Sequence, residues 1–128
     1  MAGERILVVE DNEMNLELVR DLLEAYGYVV IDSGTAEEGI VRAKAEQPQL
    51  IFIDINLPGT DGLTATTILK TDPATRHIPV VALTAHAMKG DDERAHTAGC
   101  DGYLTKPINT RIFPALVARF LGQQGDRP

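Results

Sequence analysis

The sequence holds a single cysteine, Cys100, so no intrachain disulfide can form, and the economical reading is a small apolar side chain in a reducing compartment rather than a metal ligand. Long hydrophobic runs are also missing. The N-terminus Met1-Ala2-Gly3-Glu4-Arg5 lacks the apolar core of a signal peptide, and no run approaches the roughly 20 apolar residues of a membrane span. Positive charge is in deficit. Twelve Lys and Arg face nineteen Asp and Glu, a formal charge of −7, and the basic residues are scattered instead of forming a stripe, which argues against a nucleic-acid surface. His77, His86 and His96 show no ligand spacing such as His-x-x-x-His, so a histidine metal site is not expected. Internal repeats, low-complexity segments and a second domain are absent too. What is present is 128 residues with 44% apolar and 24% charged content, the size and balance of one globular domain with one core. The protein is expected in the cytoplasm.

Short apolar runs alternate with longer amphipathic segments, the pattern of βαβ units and a parallel sheet covered on both faces. The predicted strands are Arg5 to Val9, Tyr28 to Ile31, Leu50 to Ile53, Val80 to Leu83 and Gly102 to Leu104. Between the first two, Leu16, Val19, Leu22, Leu23 and Tyr26 recur at helical spacing, with Gly27 at a left-handed C-cap position. Thr35 and Glu38 predict a capping box for a second helix that ends before Pro48. Gly62 to Lys70 reads as a third helix in spite of Thr64, Thr66, Thr67 and Ile68, whose β-branching disfavours one. His86 to Ala98 reads as a fourth, interrupted at Gly90 and stopped at Gly99. Phe113, Leu116, Val117, Phe120 and Leu121 mark a fifth, with Asn109 as its expected cap and Pro114 as a difficulty unless the helix starts late. The expectation is one domain over residues 1–122, a frayed tail at 123–128 and no output domain, with Met1 and the short tail favouring a free-standing protein over one part of a larger chain.

The polar residues that break the apolar runs all stand just past them. Glu10 and Asp11 follow the first strand, Asp54 the third, Thr84 the fourth and Lys106 the fifth. In a doubly wound parallel sheet these C-terminal ends share one edge, where ligands bind at the switch in strand order. Three carboxylates crowded together must share protons or hold a cation. An all-oxygen set without histidine suits a hard ion such as Mg²⁺, which keeps several waters and shares phosphate oxygens. Thr84 and Lys106 are the complementary half, a hydroxyl and a point-charge ammonium for phosphoryl oxygens. A carboxylate can accept a phosphoryl group, and Asp54, flanked by Ile53 and Ile55, is the best-placed nucleophile. The turn-rich loop Asn56-Leu57-Pro58-Gly59-Thr60-Asp61-Gly62 can bring a backbone carbonyl, that of Asn56, to the metal.

These residues carry a family resemblance. Glu10-Asp11-Asn12, Phe52-Ile53-Asp54-Ile55-Asn56-Leu57-Pro58-Gly59 with Asp61-Gly62, Leu83-Thr84-Ala85 and Tyr103-Leu104-Thr105-Lys106-Pro107 resemble the receiver domain of response regulators, in that order, over residues 5–121. The segment from Ala85 to Asp91 is similar to stand-alone regulators of the DivK type and to receivers of hybrid histidine kinases. The resemblance implies a flavodoxin-like α/β fold: a doubly wound five-stranded parallel sheet in the order 2-1-3-4-5, with five helices. It also implies that Asp54 takes phosphate from a histidine kinase or phosphotransferase in a Mg²⁺-dependent, self-catalysed reaction, with self-catalysed loss, so that the chain is a phosphoacceptor rather than an enzyme. By the same resemblance Glu10, Asp11, Asp54 and the Asn56 carbonyl hold Mg²⁺, and Thr84 and Lys106 grip the phosphoryl group. Thr84 and Tyr103 form the switch, Lys106-Pro107 is a cis peptide, and Asn56 and His86 tune the dephosphorylation rate. A downstream protein is expected on the face made by the fourth helix, fifth strand and fifth helix, and the chain is expected to be a monomer or a weak homodimer.

Three other readings compete with this one. A phosphatase of the haloacid dehalogenase type also forms an aspartyl phosphate, but Asn56 breaks its Asp-x-Asp pattern and a general acid is missing. In a flavodoxin-like FMN binder, Glu10 and Asp11 would repel the cofactor phosphate. A phosphate-independent interaction module has no use for the full set of site residues.

Overall fold

The computed structural model describes residues 3–84, 90–106 and 108–125. Elements alternate strictly: β1 (Arg5–Val9), α1 (Glu13–Ala25), β2 (Val29–Ser33), α2 (Ala36–Glu46), β3 (Leu50–Asp54), α3 (Gly62–Thr71), β4 (Val80–Thr84), α4 (Asp91–Ala98), β5 (Gly102–Thr105) and α5 (Phe113–Gly125). The strands form one parallel sheet in the order β2-β1-β3-β4-β5, as expected. Among the described residues no helix is long and apolar enough to cross a membrane.

The near-continuous apolar runs follow from burial on both faces, because successive strand side chains alternate between them. Ile6, Val8, Leu50, Phe52, Val81 and Leu83 pack against Val19 and Leu23 of α1 and Phe113, Val117 and Phe120 of α5. Leu7, Val9, Ile51, Ile53, Val80 and Ala82 face the small residues Ala36 and Ala43 of α2, Ala65 of α3 and Ala95 of α4. Among the described residues the two layers hold 16 and 11 buried side chains, and each Val, Leu, Ile or Phe among them stabilises the fold by about 1.5–3 kcal/mol before chain entropy is counted.

The helix ends explain most departures from expectation. Asn12 Oδ1 accepts the Asn15 N–H at 3.1 Å, so α1 begins at Glu13. Gly27, at φ 88°, donates to the Glu24 carbonyl and Tyr28 donates to that of Leu23, a paired closure that assigns Tyr28 to the helix end. Strand β2 therefore starts at Val29 and runs on through Asp32 and Ser33. Thr35 caps α2 through the Glu38 N–H at 3.1 Å, but Glu38 reaches back to Gly34 rather than to Thr35. The threonines of α3 are accommodated by back-bonding: Thr66 and Thr67 donate to the carbonyls of Gly62 and Leu63, and Thr71 to that of Thr67. The expected fourth helix is described from Asp91, after Gly90 at φ 93°; residues 85–89, including His86, lie outside the described residues. Asn109 does not cap α5. Its Oδ1 accepts the Arg111 N–H and its carbonyl that of Phe113, forming a turn ahead of the helix. Pro114 then falls in the first turn, where its missing N–H has no intrahelical partner to lose. Helix α5 continues to Gly125, past the boundary expected at 122, and 126–128 lie outside the described residues.

Candidate functional site

Strand order reverses between β1 and β3, and the site stands at the C-terminal ends of those two strands. Pairing of Val9 with Ile53 brings Glu10 beside Asp54. On the other side Asp54 pairs with Leu83, and the Ile55 N–H donates to the Leu83 carbonyl at 2.9 Å. Thr84 pairs with Thr105, and the Lys106 N–H donates to the Thr84 carbonyl at 2.6 Å. The register of four strands thus delivers Glu10, Asp54, Thr84 and Lys106 to one edge.

Glu10, Asp54 and Thr84 are buried, Lys106 is largely so, and Asp11 is exposed. One carboxylate oxygen from each of Glu10, Asp11 and Asp54 lies within 4.8 Å of the other two. Lys106 Nζ stands 2.7 Å from Glu10 Oε1 and 2.9 Å from Asp54 Oδ2, tying the ends of β1, β3 and β5 together. The second contact is a hydrogen bond and the first a close ion pair, so the one ammonium serves both buried carboxylates. Glu10 Oε2 accepts the Asn12 N–H at 3.2 Å, and Asp54 Oδ1 accepts the Asn56 N–H at 2.9 Å.

The electrostatics follow from this crowding. Burial, reinforced by the neighbouring Asp54 carboxylate, pushes the Glu10 carboxyl up to about 6, although Lys106 and the Asn12 N–H pull the other way. Burial works against the Lys106 ammonium, but Glu10 and Asp54 outweigh it and hold its pKa above the ordinary lysine value. Three carboxylates against one ammonium leave a formal excess of two negative charges, with oxygen the only donor type. A divalent hard cation fits that set.

The loop after β3 completes the site. Asn56 is exposed, Leu57 is buried, and Asp61 caps α3 through the Thr64 N–H at 2.8 Å. Gly62 donates to the Ile55 carbonyl at 3.0 Å, and a Cβ there would lie 2.1 Å from the Asp54 carbonyl oxygen. Only glycine lets α3 start this close to the peptide that carries Asp54. Sequence reading placed Gly62 at a helix start but not in this contact, because the neighbour is backbone and leaves no side-chain pattern. It also missed Thr60, whose hydroxyl donates to Glu37 Oε2 of α2 at 2.6 Å. Tyr103 is half-buried in β5 and packs against the core on the α2, α3 and α4 side. Pro107, and with it the expected cis bond, lies outside the described residues, as does His86. A hollow of about 430 Å³ between α3 and α4 contains none of these groups.

Comparison with known proteins matches residues 6–118 to the sequence model of the response regulator receiver domain. The polar-differentiation response regulator DivK of Brucella ovis and that of Brucella melitensis are each 46% identical over 117 residues, covering 91% of this chain and 95% of theirs. Among solved structures, a putative response regulator from Chloroflexus aurantiacus superposes with a TM-score of 0.90 at 27% identity, covering 94% of this chain and 98% of its own. The receiver domain of a Pseudomonas aeruginosa sensor histidine kinase, solved with magnesium coordinated in its active-site cleft, gives 0.87 at 33% identity over 94% of this chain and 99% of its own.

Proposed function

The chain belongs to the receiver-domain family of response regulators in two-component signalling, and on that premise we propose that Asp54 is its phosphoacceptor. Receiver domains take their phosphoryl group from histidine kinases or phosphotransferases. In this chain an Asp54 carboxylate oxygen attacks the phosphorus of a phosphohistidine, an O–P bond forms as the N–P bond breaks, and the imidazole leaves. Lys106, already on Asp54, holds one phosphoryl oxygen by charge, and the Thr84 hydroxyl serves another. The Asn56 N–H on Asp54 Oδ1 orients the carboxylate before the donor arrives.

Receiver domains generally bind Mg²⁺ at an acidic pocket; here Glu10, Asp11, Asp54 and the Asn56 carbonyl would hold it. When bound it supplies neutralising charge for the carboxylates and the phosphoryl oxygens. Loading and loss of the phosphoryl group are both catalysed by this site itself, without a separate enzyme fold. The new charge on Asp54 draws Thr84 and Lys106 inward and lets Tyr103 shift, a change in populations read by a partner on the α4, β5 and α5 face. The protein works in the cytoplasm as a monomer or weak homodimer.

The observation that carries this reading is Lys106 bridging Glu10 and Asp54 beside Asp11. Incubation with Mg²⁺ and acetyl phosphate followed by intact-mass analysis tests it. One added phosphoryl group is expected, and none in Asp54→Asn or without Mg²⁺; addition that persists in Asp54→Asn would refute the assignment.

A further inference from the structure

Glu37 stands in the first turn of α2, on an element that contributes nothing to the acidic cluster. Its Oε2 accepts the Thr60 hydroxyl at 2.6 Å, a length typical of a charge-assisted bond. That contact, first among several, holds the Glu37 carboxyl below the usual carboxylate range. Thr60 belongs to the loop that leads from Asn56 to α3. The loop's two ends are secured within β3 and α3 themselves, by Asn56 on Asp54 and by Gly62 on Ile55. Its tip, Pro58 and Gly59, is exposed, and Gly59 takes φ 75°, turning the chain so that a Cβ there would stand 4.0 Å from Glu37 Oε2. Thr60, next to the tip, therefore reaches across to α2, where Glu37 accepts its hydroxyl.

We propose that Glu37 is a positioning residue for phosphoryl transfer, holding the β3–α3 loop through Thr60 so that Asn56 stays presented to the acidic cluster. The inference rests on the reading of Asp54 and its Mg²⁺ site given above. Its physical basis is entropy: a loop already fixed need not be ordered when the ion or the phosphoryl group arrives. The bond lies at the surface, so its effect is modest.

Thr60→Val removes the hydroxyl without changing shape or charge, which separates tethering from long-range electrostatics. In the full chain, Mg²⁺ titration calorimetry is expected to give about three- to tenfold weaker binding for Thr60→Val. Glu37→Ala should lose at least as much, since it also removes a negative charge. The double variant should be no weaker than Glu37→Ala, and Thr60→Ser should restore wild-type binding. Acetyl phosphate labelling should show a raised half-saturating Mg²⁺ with the maximal rate little changed, and amide exchange at Asn56 should quicken in metal-free Thr60→Val. Wild-type affinity in Thr60→Val overturns the tether, whatever Glu37→Ala does, and leaves the site reading standing. A wild-type chain that neither binds Mg²⁺ nor takes a phosphoryl group overturns both.

Discussion

Glu10 is a buried carboxyl that the fold makes costly to ionise, and its titration is the simplest handle on the site. Its ordinary value of 4.5 is pushed up to about 6 by burial and by Asp54. Between those values the folded protein keeps a proton that the unfolded chain has released. Without metal, stability conferred by the protonated form is complete below about 4.5 and is lost as pH rises through about 6. Urea midpoints across that window should fall with pH in the wild type and stay flatter in Glu10→Gln; equal slopes would remove Glu10 as the source. Lys106 invites the opposite intuition. Its charge neutralises two of the carboxylates that would hold a cation, so Lys106→Met should bind Mg²⁺ severalfold more tightly in calorimetry while accepting phosphate from acetyl phosphate more slowly. Parallel loss of both would mean that the lysine merely supports the fold. At this scale the sequence named Glu10, Asp11, Asp54, Thr84 and Lys106, because polar side chains just past apolar runs are conspicuous. Gly62 and Glu37 stayed hidden, since one acts by lacking an atom and the other through a partner more than twenty residues away.

Among the elements, the start of α3 and the described part of α4 are held to different degrees. Gly62→Ala places a Cβ against the Asp54 carbonyl and must shift backbone. A loss of about 1–3 kcal/mol is expected from overpacking, together with slower phosphorylation, read by urea unfolding and by intact mass. Helix α4 is the contrary case. Among its described side chains only Ala95 is buried, left-handed Gly90 and Gly99 bound it, and hollows of about 430 Å³ and 190 Å³ lie between it and α3 and between it and β5. Amide exchange should be faster in α4 than in α1 or α2, and exchange as slow as theirs would contradict this picture. Element type was legible from periodicity for most elements and, for α3, from the alternation of strands and helices. The ends of β2 and α5 were not, because a Tyr28 N–H taken by Leu23 and an Asn109 turn are decided by backbone geometry that several sequences share.

For the molecule as a whole, the sheet joins two apolar layers and leaves one edge charged, so an ion bound there is felt by the fold. If Mg²⁺ binds only the native state, a hundredfold excess over its Kd should add about 2.7 kcal/mol to unfolding. Thermal melts with and without Mg²⁺ should show that gain in the wild type and much less of it in Asp11→Ala, whose exposed side chain can be removed without opening the core. The same gain in both would place the ion elsewhere. Composition and the alternation of apolar runs with amphipathic segments were enough to specify an α/β chain with a doubly covered parallel sheet, since burial of strands on two faces leaves no other economical pattern. Strand order came only through the family resemblance and register needed tertiary structure, because periodicity records which face a residue presents and not which strand lies beside it. The 2.7 Å and 2.9 Å contacts of Lys106 come from that register, and they join residues that the chain keeps far apart.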